Sequence, residues 1–159
     1  MKILWCGLRY YYTAARWPEI VAPLLELGLR LMLASVFFKS GLTKIKNWDS
    51  TLYLFSEVYQ VPLLNSEFAA YLATGAELAL PVLLVLGLFG RFAAAGLFIL
   101  NAVAVIAYYS ELSEAGLAQH IYWAWLLAVL LVLSKGRWTI DNFLQKCLKS
   151  GAIAAHQQR

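Results

Sequence analysis

The sequence predicts an all-α integral membrane protein, an up-down four-helix bundle with its N-terminus and C-terminus both cytoplasmic. Three observations predict it. Of 159 residues, 62% are hydrophobic and 14% charged, whereas soluble domains carry roughly 45–50% and about 25%. The apolar residues gather in four windows, 20–41, 68–89, 92–109 and 117–134, each near the roughly 20 residues that cross the hydrocarbon. Lys and Arg concentrate in the segments that such a topology places on one side.

The first 19 residues mix Lys2, Arg9 and Arg16 with Trp5, Tyr10, Tyr11, Tyr12 and Trp17. Cations and half-polar rings together suit a segment lying at headgroup level. Arg9 interrupts the apolar run Ile3 to Leu8, so a cleaved signal peptide is not expected. Span one starts near Pro23, which the first helical turn tolerates because its missing N–H would be unpaired there anyway. Its helical pattern continues past Gly41 toward Lys46. The connection 42–67 holds a Val61-Pro62 pair, which biases that stretch away from helix, and Trp48, Tyr53, Phe55 and Tyr59, with which it is expected to fold against the membrane surface. Span two carries one charge, Glu77, with Pro81 one turn on; a proline there frees the carbonyl four residues back and can kink the helix. Span three is uncharged, and span four places Tyr122, Trp123 and Trp125 as an aromatic belt near its outer end. Short connections around Arg91 and at 110–116 make neighbouring spans antiparallel. The whole chain, 1–159, reads as one domain with a basic tail at 135–159.

Orientation follows from the cations. The N-terminal segment, the Arg91 turn and the tail (Lys135, Arg137, Lys146, Lys149, Arg159) are basic, and the last connection has Glu111 and Glu114 with no Lys or Arg. Basic segments stay inside. The net charge of +4 therefore reports topology and attraction to the lipid bilayer, and no nucleic-acid partner is expected. Cys6 and Cys147 form no Cys-x-x-Cys pair, which argues against a thiol relay. His120 and His156 fall on opposite sides, so neither haem nor a metal site is expected, and no flavin motif is present.

The chemistry must come from charges inside the membrane, each of which costs about 2.5–3.5 kcal/mol on insertion scales and so faces a partner or a cavity. Glu26 and Arg30 are four apart and can pair on one face. Counted from the outer ends of spans one and two, Arg30 and Glu77 differ in depth by about 3 Å. They are expected to meet and, with Asn101, to border a buried polar pocket; the alternative is an ion pair that only fixes helix packing. Lys39, Lys44 and Lys46 are expected near the outer edge, snorkelling to water.

Several of these residues resemble a known pattern. Arg30, Gly41 and Lys44 on span one, Glu77 followed by Gly87-Leu88 and by Arg91-Phe92-Ala93-Ala94, and the tail run Gly136-Arg137-Trp138-Thr139-Ile140-Asp141 are together similar to the DoxX family, in the wider group that includes DoxD. The resemblance covers residues 24–141, with Lys135 where Pro is common and Thr139 where Ser is usual. It implies a multi-pass protein of the bacterial inner membrane. Relatives of the DoxD type form the membrane part of thiosulfate:quinone oxidoreductases, and others are linked to sulfur-redox and oxidative-stress complexes. The resemblance therefore implies a quinone-linked redox subunit working with a redox or membrane partner protein, with Lys44 helping to attract an anionic donor. A non-enzymatic anchor or assembly factor for a partner is the alternative, and a small-solute carrier, which four spans would form only as a homo-oligomer, comes third.

Overall fold

The computed structural model describes residues 17–59, 61, 63–133, 140 and 143. Of the segment 1–19 expected at the interface, residues 1–16 lie outside the described residues, as does most of the basic tail, including Gly136, Arg137 and Asp141. The described chain contains five helical elements: α1 Trp17–Lys46, α2 Trp48–Glu57, α3 Ser66–Leu86, α4 Gly90–Tyr108 and α5 Glu114–Leu133. Four segments, Val21–Lys46, Ser66–Leu86, Gly90–Tyr108 and Glu114–Val132, are long and apolar enough to cross a membrane.

The ends of these helices have local causes. Asn65 caps α3 by accepting a hydrogen bond from the Glu67 N–H at 2.9 Å. Gly87 stops α3 in the left-handed conformation (φ 64°), its N–H reaching the Leu84 carbonyl at 3.3 Å while the Leu88 N–H bonds the Leu83 carbonyl at 3.1 Å. That pattern occupies the carbonyls the helix leaves free and turns the chain sharply into α4. At the other end of the bundle, α1 breaks at Asn47 and α2 departs in a new direction. Thr51 Oγ1 donates into this corner, with the Lys44 carbonyl at 3.0 Å and the Asn47 carbonyl at 3.1 Å, which fixes α2 onto the last turn of α1.

Around the bundle, α1 packs on α3, α3 on α4, α4 on α5, and α5 closes against α1. The main core is Leu33 and Phe37 from α1, Leu84 from α3, Ala93, Ala94 and Leu97 from α4, and Leu127 and Leu130 from α5. Alanines on α4 let the helices approach, since lipid supplies no hydrophobic drive and close van der Waals contact must hold them. A second, smaller core sets Phe55 of α2 against Ala69 and Ala70 of α3, with Trp48, Leu52 and Tyr59 around it. The connection between the first two spans is thus largely helical, because Thr51 and Phe55 lie four apart and form one buried stripe. Here α2 covers the end of α3 that projects beyond α1.

Candidate functional site

On α1 the buried positions are Arg30, Leu33, Ala34, Phe37 and Gly41, with Ser40 and Lys44 half-buried beside them. On α3 they include Ala70, Thr74, Glu77, Pro81 and Leu84. Both series step by three and four residues, so each is a single helical stripe. They meet at Gly41. A Cβ added there would stand 3.0 Å from the Leu78 side chain and 3.1 Å from Glu77 Cβ, so glycine is what lets the two backbones come together at this level.

That close approach places Lys44 against Glu77. The ammonium donates to both carboxylate oxygens at 2.6 Å and to Ser40 Oγ at 3.1 Å. Ser40 Oγ donates in turn to Glu77 Oε1 at 3.3 Å. The two charged side chains are 18% and 11% exposed, so the pair is largely withdrawn from solvent. Pro81 cannot donate to the Glu77 carbonyl four residues back, which adds an acceptor beside the pair. Thr74, one turn away on the same buried stripe, has a hydroxyl with no hydrogen-bond partner among the described residues.

The expected meeting of Arg30 and Glu77 does not occur. Arg30 instead pairs with Glu26 on its own helix. Span one does not end at Gly41 but continues to Lys46, and α3 starts beyond the end of α1, so counting depth from the two sequence windows used the wrong origin. Fourteen residues separate Arg30 from Lys44, about 21 Å along the helix, and this puts the Glu26–Arg30 pair near the opposite end of the bundle. Lys44 likewise does not snorkel to water; it points inward and holds Glu77.

Asn101 lies on α4, eleven residues past Gly90, and Glu77 lies nine residues before Leu86. At 1.5 Å per residue both are about 13–17 Å from the α3–α4 turn. Asn101 Nδ2 donates to the His120 carbonyl at 3.0 Å, and its Oδ1 is 2.8 Å from His120 Nδ1. With the amide oxygen as acceptor, Nδ1 carries the ring proton. Tyr59 meets Tyr108 edge-on at 5.3 Å, and His120 meets Trp123 at 5.0 Å. Burial raises the Tyr59 hydroxyl pKa above its ordinary 10.0, and the nearby Tyr108 and Glu77 push it further the same way. Tyr59 therefore stays protonated, a hydroxyl donor or acceptor at the covered end of the bundle. Ser40, Thr74 and Tyr59 complete the surroundings of the pair, and their sequence context did not single them out. Arg91 opens α4 at the far end and is exposed.

The family model for DoxX matches residues 25–110. The match takes in α1 from Leu25 onward through α4, with Ser40, Lys44, Thr74 and Glu77, while α5, including His120, and the tail run lie beyond it. The chain is also 29% identical over 126 residues to an uncharacterized protein of Haemophilus influenzae, an overlap of 74% of this chain and 82% of that one. No solved structure matches it. With more than half the chain inside one family model and four helices suited to a bilayer, this multi-pass membrane protein belongs to the DoxX family.

Proposed function

We propose that this DoxX-family protein is a quinone-linked membrane subunit of the bacterial inner membrane, with both termini cytoplasmic and α2 on the outer side. The observation that carries the reading is an ionisable pair inside the bundle, Lys44–Glu77, beside a buried Thr74 hydroxyl that has no partner among the described residues. Ionisable groups within a membrane segment mark a ligand or proton site by default, given their cost. The donor set fits a quinone head. Thr74 Oγ1 can donate to a ring carbonyl, the Lys44 ammonium favours negative charge growing on that oxygen, and Glu77 can hold a proton at its carboxylate. Quinone supplies the two-electron, two-proton acceptor chemistry. Lys, Glu, Ser and Thr are not redox-active, so both electrons would come from a partner protein's reduced centre or directly from a reduced donor, with the protons drawn from water through Glu77.

One observation favours a second reading, a non-enzymatic anchor for a partner. All three ammonium hydrogens of Lys44 are directed at acceptors in the chain itself, as a tie between α1 and α3 requires. Lipid extraction from mildly purified protein, followed by mass spectrometry, separates the two. The redox reading expects stoichiometric quinone that Thr74→Val diminishes while helicity and thermal stability hold. Absence of quinone from folded wild type, in membranes rich in it, favours the anchor.

A further inference from the structure

Lys39 lies five residues before Lys44 on α1, about 7–8 Å nearer the α3–α4 turn than the Lys44–Glu77 pair. It is exposed, on the helical face opposite the buried stripe of Leu33, Phe37 and Gly41. Its ammonium has no ion pair or hydrogen bond among the described residues; only its backbone carbonyl is engaged, accepting from Thr43 Oγ1 at 3.0 Å. The other exposed charges among the described residues, Lys46, Asp49, Glu57, Glu67, Arg91, Glu111 and Glu114, all sit at or beyond helix ends. Among the described residues, Lys39 alone is an exposed charge well inside a candidate membrane span and away from its ends.

Gly28, Met32, Ser35, Lys39 and Leu42 are all exposed and follow one another at alternating spacings of four and three. That is the seam of a helix–helix contact, and its small members Gly28 and Ser35 permit close approach. We propose that this face of α1 receives a transmembrane helix of another protein that carries an Asp or Glu at the depth of Lys39. Charge complementarity selects that occupant. A second copy of this chain has no described carboxylate on its outer surface at that depth to offer, and a purely apolar helix leaves the ammonium without a counter-charge. The proposal supplies the chemistry of the partner that the quinone-linked reading calls for, but rests on the Lys39 face and not on the Lys44–Glu77 site.

The test is photocrosslinking of the full chain in its native membrane, with a benzophenone amino acid replacing Leu42 and a control probe at the exposed Trp125 of α5. The expected result is an adduct to one membrane protein, mapped by mass spectrometry to a transmembrane segment containing Asp or Glu. Lys39→Met should cut that adduct at least about tenfold without changing helicity. Lys39→Glu combined with the partner's carboxylate changed to Lys should restore it. An adduct to lipid alone, to a second copy of this chain or to a helix without a carboxylate overturns the proposal, as does a yield unchanged by Lys39→Met. Quinone content of purified Lys39→Met reads the other site separately. Loss of the adduct with quinone retained supports the partner face alone, and loss of quinone alone, in Thr74→Val, leaves the face untouched.

Discussion

Replacing Lys44 by Met should be among the most damaging single changes in the bundle, and replacing Glu77 along with it should undo most of the damage. Lys44 supplies both 2.6 Å bonds to Glu77. Without it the carboxylate, 11% exposed, keeps only the Ser40 hydroxyl at 3.3 Å. Removing one member of a buried ion pair costs about 3–5 kcal/mol, because the other charge stays behind in a poor solvent, while replacing both by apolar groups is often neutral. Lys44→Met should therefore lose about 3 kcal/mol or more, and Lys44→Met/Glu77→Met should fall within about 1 kcal/mol of wild type. Because either single replacement strands a charge and the double replacement does not, the coupling between the two sites should be on the order of 5 kcal/mol, well above the additivity error of independent positions. The assay is reversible unfolding in mixed micelles, followed by helicity, for the wild type, both single variants and the double variant. Near-additive losses would refute the reasoning, since they would mean that water or lipid head groups already reach Glu77.

Three further outcomes follow from the same geometry. Gly41→Ala should destabilise by about 1–3 kcal/mol, and Leu78→Ala should recover part of that loss in the same unfolding assay, because the added Cβ meets Leu78 at 3.0 Å. Asn101→Leu should cost about 0.6–1.7 kcal/mol, the range for interhelical hydrogen bonds in membranes, and should alter the His120 ring resonances in a nitrogen NMR spectrum. Tyr59 has a raised pKa in the folded state, so its contribution to stability is complete below the unfolded value near 10 and is lost as pH climbs through the higher folded value. Ultraviolet titration should show an ionisation step above that of free tyrosine, and Tyr59→Phe should remove it.

The spans were legible because bilayer thickness sets a length and composition that any helix must meet, and the four windows differ from the observed helices mainly at their ends. The four-helix arrangement follows from short connections such as Gly87 to Phe89. The partnership at the site was not legible. Arg30, Lys44 and Glu77 each stand out as charges in apolar sequence, but which of them meet depends on where each helix begins and ends. The first helix runs on to Lys46, beyond its apolar window, and α2 allows α3 to project past it. Hydropathy does not register either effect. Thr51 and Phe55 show a helical stripe in retrospect, but the aromatic content of that connection also suits a membrane surface. Thr74 gives no signal at all, because an alcohol in a helix ordinarily bonds its own backbone.

A quinone head bound beside Lys44 and Glu77 should be captured by labelling with a photoreactive short-chain quinone. Saturable labelling is expected on peptides containing Ser40 to Lys44 or Thr74 to Leu78, suppressed by excess unlabelled quinone. Labelling should also be lost in the folded Lys44→Met/Glu77→Met variant and preserved in Lys39→Met. Labelling spread over the lipid-facing residues, or equal in the double variant and the wild type, would contradict quinone binding there and leave the pair as a tie between two helices.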